Sequence, residues 1–229
     1  MARSPNGRLL AARLMFRPGY PDDLCGDGAP ERLVHAPLHL RLRRETALHH
    51  EMLEKQLDLL EPELSLHRYR RVLQSFHGFY APVEDGLSRL AATAPALGFP
   101  LRPRAELLER DLLALGLSDS DIAALPRCDS LPRLSRTEHL AGCLYVLEGA
   151  CLGGQIIAKA VRDRLPVSND RGLSFFVGDG SKTRERWQMV LTWLEELARS
   201  GADANGIVAS ARETFSSLGF WMEMTGATG

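Results

Sequence analysis

From residue 38 onward, apolar side chains recur at intervals of three and four, and no run alternates in the strict two-residue rhythm of a half-buried strand. The pattern predicts a helix from about Leu38 to Leu60, bounded by Pro37 and Pro62. A second opens at Ser65, a residue suited to cap an N-terminus, and runs on through Tyr69, Val72, Phe76 and Phe79. Pro82 is expected to kink or break it before the rhythm resumes at Leu87 and Leu90, and Pro95 to Pro103 reads as a loop. Arg104 to Leu115 carries five leucines and stops at Gly116, and Ser118 to Leu125 makes a short helical turn. Pro126 to Pro132 is a connection. Ser135-Arg-Thr-Glu138 has the spacing of a capping box and opens a long helix that Pro166 ends near Leu165. Thr183 to Arg199, closed by Gly201, and Ala204 to Met224 complete the pattern. Seven or eight helices with short joints and no internal repeat predict one all-α domain.

Composition adds exclusions. The chain has 229 residues, 45% of them apolar, which is ordinary for a globular protein and excludes global disorder. Lys and Arg total 28 against 29 Asp and Glu, so no long-range attraction to nucleic acid or an anionic membrane is expected. No stretch is an uninterrupted span of about 18 uncharged apolar residues; His139 to Ala158 comes nearest and holds Glu148. The cysteines, at 25, 128, 143 and 151, form no C-x-x-C pair and fit small buried thiols of a reducing cytoplasm. Residues 1 to about 36 are read as a poorly ordered leader, with 37–229 as the folded domain. Up to residue 21 the leader holds Arg3, Arg8, Arg13 and Arg17 and no acid, without an apolar core followed by a cleavage site; a later translation start, such as Met15, is the alternative.

Two features carry chemistry. Cys143 to Ala158 reads CLYVLEGACLGGQIIA, with Gly149, Gly153 and Gly154 inside a helix, each costing about 1 kcal/mol relative to alanine. Gly142, Gly149 and Gly153 share one helical face, and a face without side chains admits something close to the backbone. That something is either another helix or a flat prosthetic group, and the adjacent pair Gly153-Gly154 favours the second. The other feature is histidine. None of the seven follows an acid by three residues, which disfavours a carboxylate-bridged di-iron bundle, and covalent heme attachment lacks its Cys-x-x-Cys-His. A lone neutral imidazole can instead be the axial ligand of noncovalent heme, with His49 and His50 both eligible by periodicity.

Taken together, two segments resemble the heme oxygenase family, and more closely its bacterial members associated with bacteriophytochromes. LRRETALHHEML is similar to the family's early helix, whose proximal histidine stands four residues after Thr; measured from Thr46, that is His50. YVLEGACLGGQII is similar to the distal helix, with Gly149, Gly153 and Gly154 on the matching glycines. SFHGFYAPVE and Ser174-Phe-Phe fit intervening and following segments, so the resemblance spans about residues 38 to 224.

The resemblance implies heme b held between the first and distal helices as both cofactor and substrate, and its opening by O2 and reducing equivalents to biliverdin, carbon monoxide and ferrous iron. It implies His50 as the iron ligand, Arg43 and Arg186 toward the propionates, Thr46 and Tyr145 beside the heme, and the three glycines as the oxygen-side surface. Arg184 is a looser candidate for the propionates, and His77 and Tyr80 for a network behind the heme. Implied partners are an electron donor such as ferredoxin or another reductase, and a bacteriophytochrome that takes the bilin. One position departs: well-known members carry Asp directly after the first distal glycine, and here Ala150 stands. That departure is the reason for the alternative reading, a heme-binding protein of the same fold with impaired turnover.

Overall fold

The computed structural model describes residues 36–93 and 99–228, so the expected leader lies, except for residue 36, outside the described residues. Among the described residues there are eight α-helices: α1 (Leu38–Leu57), α2 (Leu66–Thr93), α3 (Ala105–Ala114), α4 (Asp119–Ala123), α5 (Thr137–Arg162), α6 (Ser174–Val177), α7 (Thr183–Arg199) and α8 (Ala204–Met224). A 3-10 turn at Gly180–Lys182 leads into α7. No strand occurs among these residues, only an isolated bridge from Ser168 to Arg171 and Gly172. The all-α expectation holds, and α7 and α8 have the predicted bounds. Gly116 and Gly201, at φ of +94° and +96°, end α3 and α7 in the left-handed region that a side chain would strain.

Three local expectations fail for physical reasons. Pro82 does not break α2, which runs unbroken from Leu66 to Thr93. A proline deprives the carbonyl four residues earlier of its helical donor, and here that carbonyl, on Gly78, accepts instead from the Cys128 amide at 2.9 Å. Gly78 allows this approach: a Cβ there would collide with the Pro126 carbonyl and the Trp221 ring. The capping box at Ser135 does not form. α5 begins at Thr137 behind Arg136, without a side-chain cap, and Ser135 turns to His139. A complete capping box is found at α4, where Ser118 and Asp121 satisfy each other's amides. Third, α6 is a four-residue helix that the pattern did not single out; the buried Asp111 carboxylate fastens its start by accepting from the Ser174 and Phe175 amides, both at 2.8 Å.

Two continuous apolar clusters make the core. One joins α2, α3, α5 and α6 through Tyr69, Phe76, Phe79, Tyr80, Phe175 and Phe176. The other joins α1, α5, α7 and α8 through Leu42, Tyr145, Trp187, Ile207 and Phe215. α5 is long and apolar enough by composition to cross a membrane, but 67% of its most apolar window is buried, as in a core helix. α5 packs chiefly on α8, and α1 on α8 and α7, while Leu42 of α1 and Tyr145 of α5 share one apolar cluster. α1 and α8 run side by side in the same direction, tied by Arg41 to Asn205 (2.8 Å), Arg212 to Glu45 (2.9 Å) and Gln56 to the Gly219 carbonyl (2.9 Å).

Close packing of α5 on α8 is made possible by Gly142. A Cβ there would stand 2.6 Å from the Ala211 amide nitrogen and would meet the Ile207 carbonyl. The expected outcome of Gly142→Leu is therefore a loss of about 2–3 kcal/mol from overpacking, or roughly 5–10 °C in Tm, measured by thermal unfolding. An unchanged Tm would mean that α8 yields freely and does not brace α5.

Candidate functional site

At 100° per residue, Arg43, His50 and Glu54 fall within about 40° of one another on α1. His49 lies about 100° round from His50, on the side of Leu42 and Gln56, whose amide reaches α8. The two histidines that periodicity left tied are thus separated by their neighbours. His50 turns its ring edge toward Phe215 of α8, with centroids 5.8 Å apart, and its Nδ1 stands 3.5 Å from Glu54 Oε1. Burial pushes the His50 imidazole down to about 4, and burial, with the nearby Glu51 charge, pushes the Glu54 carboxyl up to about 7. At neutral pH the ring is therefore uncharged and keeps a nitrogen lone pair for a metal, while the carboxyl faces its other nitrogen.

Glu54 was missed in the sequence, although it stands one turn beyond His50. Two other i, i+4 spacings, Glu45–His49 and Glu63–His67, make no ion pair among the described residues. Glu45 is engaged by Arg41, Arg44 and Arg212 instead.

Thr46 and Tyr145 meet across the space between α1 and α5. Both are 3% exposed. Thr46 gives its own proton to the Leu42 carbonyl at 2.7 Å. Burial pushes the Tyr145 phenol up to about 12, against the opposing effects of Thr46 and the Arg43 charge, and its ring packs 5.5 Å from Trp187. Arg43 is exposed on the His50 face.

The glycines divide. Gly154 is taken up in packing, because a Cβ there would collide with the Phe176 carbonyl, just as Gly142 is used by α8. The helix-to-helix alternative therefore accounts for Gly142 and Gly154, and the expected role of Gly154 on the oxygen side is corrected: its bare face belongs to α6. Gly149 and Gly153 are buried and lie about 40° apart on α5, while Ala150 is exposed.

Arg186 is also corrected. Its guanidinium, 5% exposed, donates to both Glu148 oxygens from Nε (3.0 and 3.1 Å) and to the Pro100 carbonyl from Nη2 (2.8 Å), and it stacks 4.8 Å over Phe99. Such a forked, buried pair commits Nε and Nη2 to Glu148 and Pro100 rather than to a propionate. Arg104 flanks it, 3.8 Å from Glu148 and 3.7 Å from Asp179. His77, fully buried, holds Glu109 at 3.0 Å, and Tyr80 lies among Phe76, Phe79 and Phe175; both are core residues of α2. No cluster of three or more metal-binding side chains occurs among the described residues, which suits a single axial imidazole.

The described geometry is that of an all-helical protein with a neutral imidazole on one helix, a partly bare backbone on another, and a third helix bracing both. The heme oxygenase family model matches residues 36–224. A protein named heme oxygenase from Xanthomonas campestris pv. campestris (strain 8004) is 31% identical over 147 residues, covering 64% of this chain and 84% of that protein. The chain belongs to the heme oxygenase family: it is an enzyme of heme degradation, with heme as substrate and a reductase as partner.

Two outcomes check the site. Arg186→Ala strands a buried Glu148 charge and is expected to cost about 3–5 kcal/mol in denaturant unfolding. Full stability with weakened hemin binding would return Arg186 to the propionates. An NMR titration of the His50 ring is expected to show a midpoint near 4. Because that lies below the unfolded value of about 6.5, His50 opposes folding as pH falls between the two. A midpoint near 6.5 would show a solvated ring.

Proposed function

We propose that this chain opens heme to biliverdin, carbon monoxide and ferrous iron, with His50 as the axial ligand. The observation that carries the reading is the half-buried His50 imidazole, uncharged at neutral pH and beside Glu54, on a helix that α8 joins to the glycine-bearing α5. When bound, heme b supplies both the iron that takes up O2 and the carbon skeleton that is oxidised.

The chain's own residues have simpler tasks. Glu54 stands 3.5 Å from Nδ1 of His50, and Nε2 is the nitrogen proposed to ligate. Neutral imidazole holds iron without the strong electron push of a thiolate. Gly149 and Gly153 keep α5 free of side chains, so a planar ring can approach the backbone closely and dioxygen is confined on one side. Arg43, exposed two turns before His50 on the same face, supplies a cation for a propionate. Tyr145, buried against Trp187, keeps its phenol protonated.

The matched span supports reading residues 37–229 as one catalytic domain preceded by 1–36. Delivery of the bilin to a bacteriophytochrome, ferredoxin as electron donor and a cytoplasmic setting belong to the same proposal. Their support is the resemblance of the two helix segments to the phytochrome-associated enzymes. Ala150 supports the alternative of heme binding with impaired turnover.

The test is hemin titration, followed by ferredoxin or ascorbate in air. The expected result is a 1:1 complex with an imidazole-ligated Soret band that gives way to the absorption of biliverdin. His50→Ala is expected to lose that spectrum, while His49→Ala keeps it. A saturable complex that yields no bilin would leave the alternative standing, and loss of the spectrum in His49→Ala alone would overturn the ligand assignment.

A further inference from the structure

Away from the heme-facing side, the outer face of α7 and the segment at Phe99 and Pro100 enclose a cleft of about 450 Å³. Its floor is apolar, formed by Phe99, Met189 and Trp193, and Glu185 and Glu196 stand at its two ends. The walls are held firmly. Phe99 is clamped between the Trp193 ring, 5.2 Å away, and the Arg186 guanidinium, itself fixed by Glu148 and the Pro100 carbonyl. Met189 is 48% exposed on this floor, a large apolar surface left to water. Among the described residues neither Glu185 nor Glu196 has an ion-pair partner within 4.0 Å. They are eleven positions apart, about 16 Å along one face of the helix.

A segment of complementary chemistry lies in the same chain. Residues 8–17 read RLLAARLMFR: arginines at 8, 13 and 17 interleaved with Leu9, Leu10, Leu14, Met15 and Phe16, bounded by Gly7 and Pro18. It carries three positive charges and no acid. The path is short. The chain enters α1 beside the cleft, where the His39 amide donates to Glu195 at 2.8 Å, next to Glu196. The twenty residues from 18 to 37 can span about 65 Å, far more than the cleft requires.

We propose that residues 8–17 dock in this cleft, with their apolar side chains on the Phe99–Met189–Trp193 floor and their arginines at Glu185 and Glu196. The exposed apolar residues at the α1–α8 seam, Leu48, Met52, Phe220 and Met224, are the competing surface, but there Glu51 is already paired with Lys55.

The test uses the full-length chain with a benzophenone amino acid in place of Leu14, irradiated at low micromolar concentration and mapped by mass spectrometry. Intramolecular cross-links to residues 99–100 and 185–196 are expected. Reversing the cleft charges with Glu185→Lys and Glu196→Lys is expected to lower their yield at least fivefold, and adding Arg8→Glu and Arg17→Glu to restore it. Unchanged far-ultraviolet circular dichroism controls for folding. Cross-links to the α1–α8 seam, links between chains, a scatter over the whole surface, no links, or a yield indifferent to charge reversal would each overturn the proposal.

Discussion

The architecture depends on one contact, the backbone-to-backbone approach of α5 and α8 at Gly142. Because α8 comes that close, it can brace the central helix and still carry α1 along its other flank through the Arg212–Glu45 and Gln56–Gly219 ties. α1 and α5 are then held chiefly by a common neighbour. They meet where Leu42 and Tyr145 share one apolar cluster, and the half-buried His50 imidazole lies against Phe215 of α8.

This constraint gives glycine two roles within one helix. Where the missing side chain is answered by another backbone, at Gly142 against α8 and at Gly154 against Phe176, the residue is structural and would be needed without any ligand. Gly149 and Gly153 fall between those two contacts along α5, so the helix is anchored on both sides of the stretch proposed to face heme. The helix-weakening cost of the glycines is thus offset by packing at either end of that stretch.

Most of the fold was legible because it is written in local signals. The bounds of α7 and α8 follow from apolar periodicity and a terminating glycine, features contained in each segment. What escaped required knowledge of a distant partner. Pro82 survives inside α2 only because Cys128, far along the chain, takes the carbonyl it frees. Ser135 loses its capping role to a contact with His139. In the site, His50 was reached through the spacing from Thr46, but Arg186 was misassigned: nothing local reveals that Glu148, thirty-eight positions away, will claim its guanidinium. Glu54 was the avoidable omission, since i, i+4 spacing places its carboxyl and the His50 ring on one face of the helix.

The same commitment of charges bears on the missing acid at position 150. The buried carboxylates around α5 are all engaged in holding the fold: Glu148 by Arg186, Glu84 by the Arg104 and Ala105 amides, Asp111 by the amides that start α6, and Asp179 by Arg102 and Arg104. Recruiting one as a proton donor would release a buried cation or expose helix-end amides, at a cost of several kcal/mol. Leu144 and Leu147, which with Glu84 and Glu148 line the small cavity beneath α5, lie on the side of that helix away from Gly149 and Gly153. Ala150 itself is exposed. On the proposed reading, protons for heme opening therefore come from water reaching the glycine face through the surface at Ala150, and replacing an engaged acid would change stability before it changed proton supply.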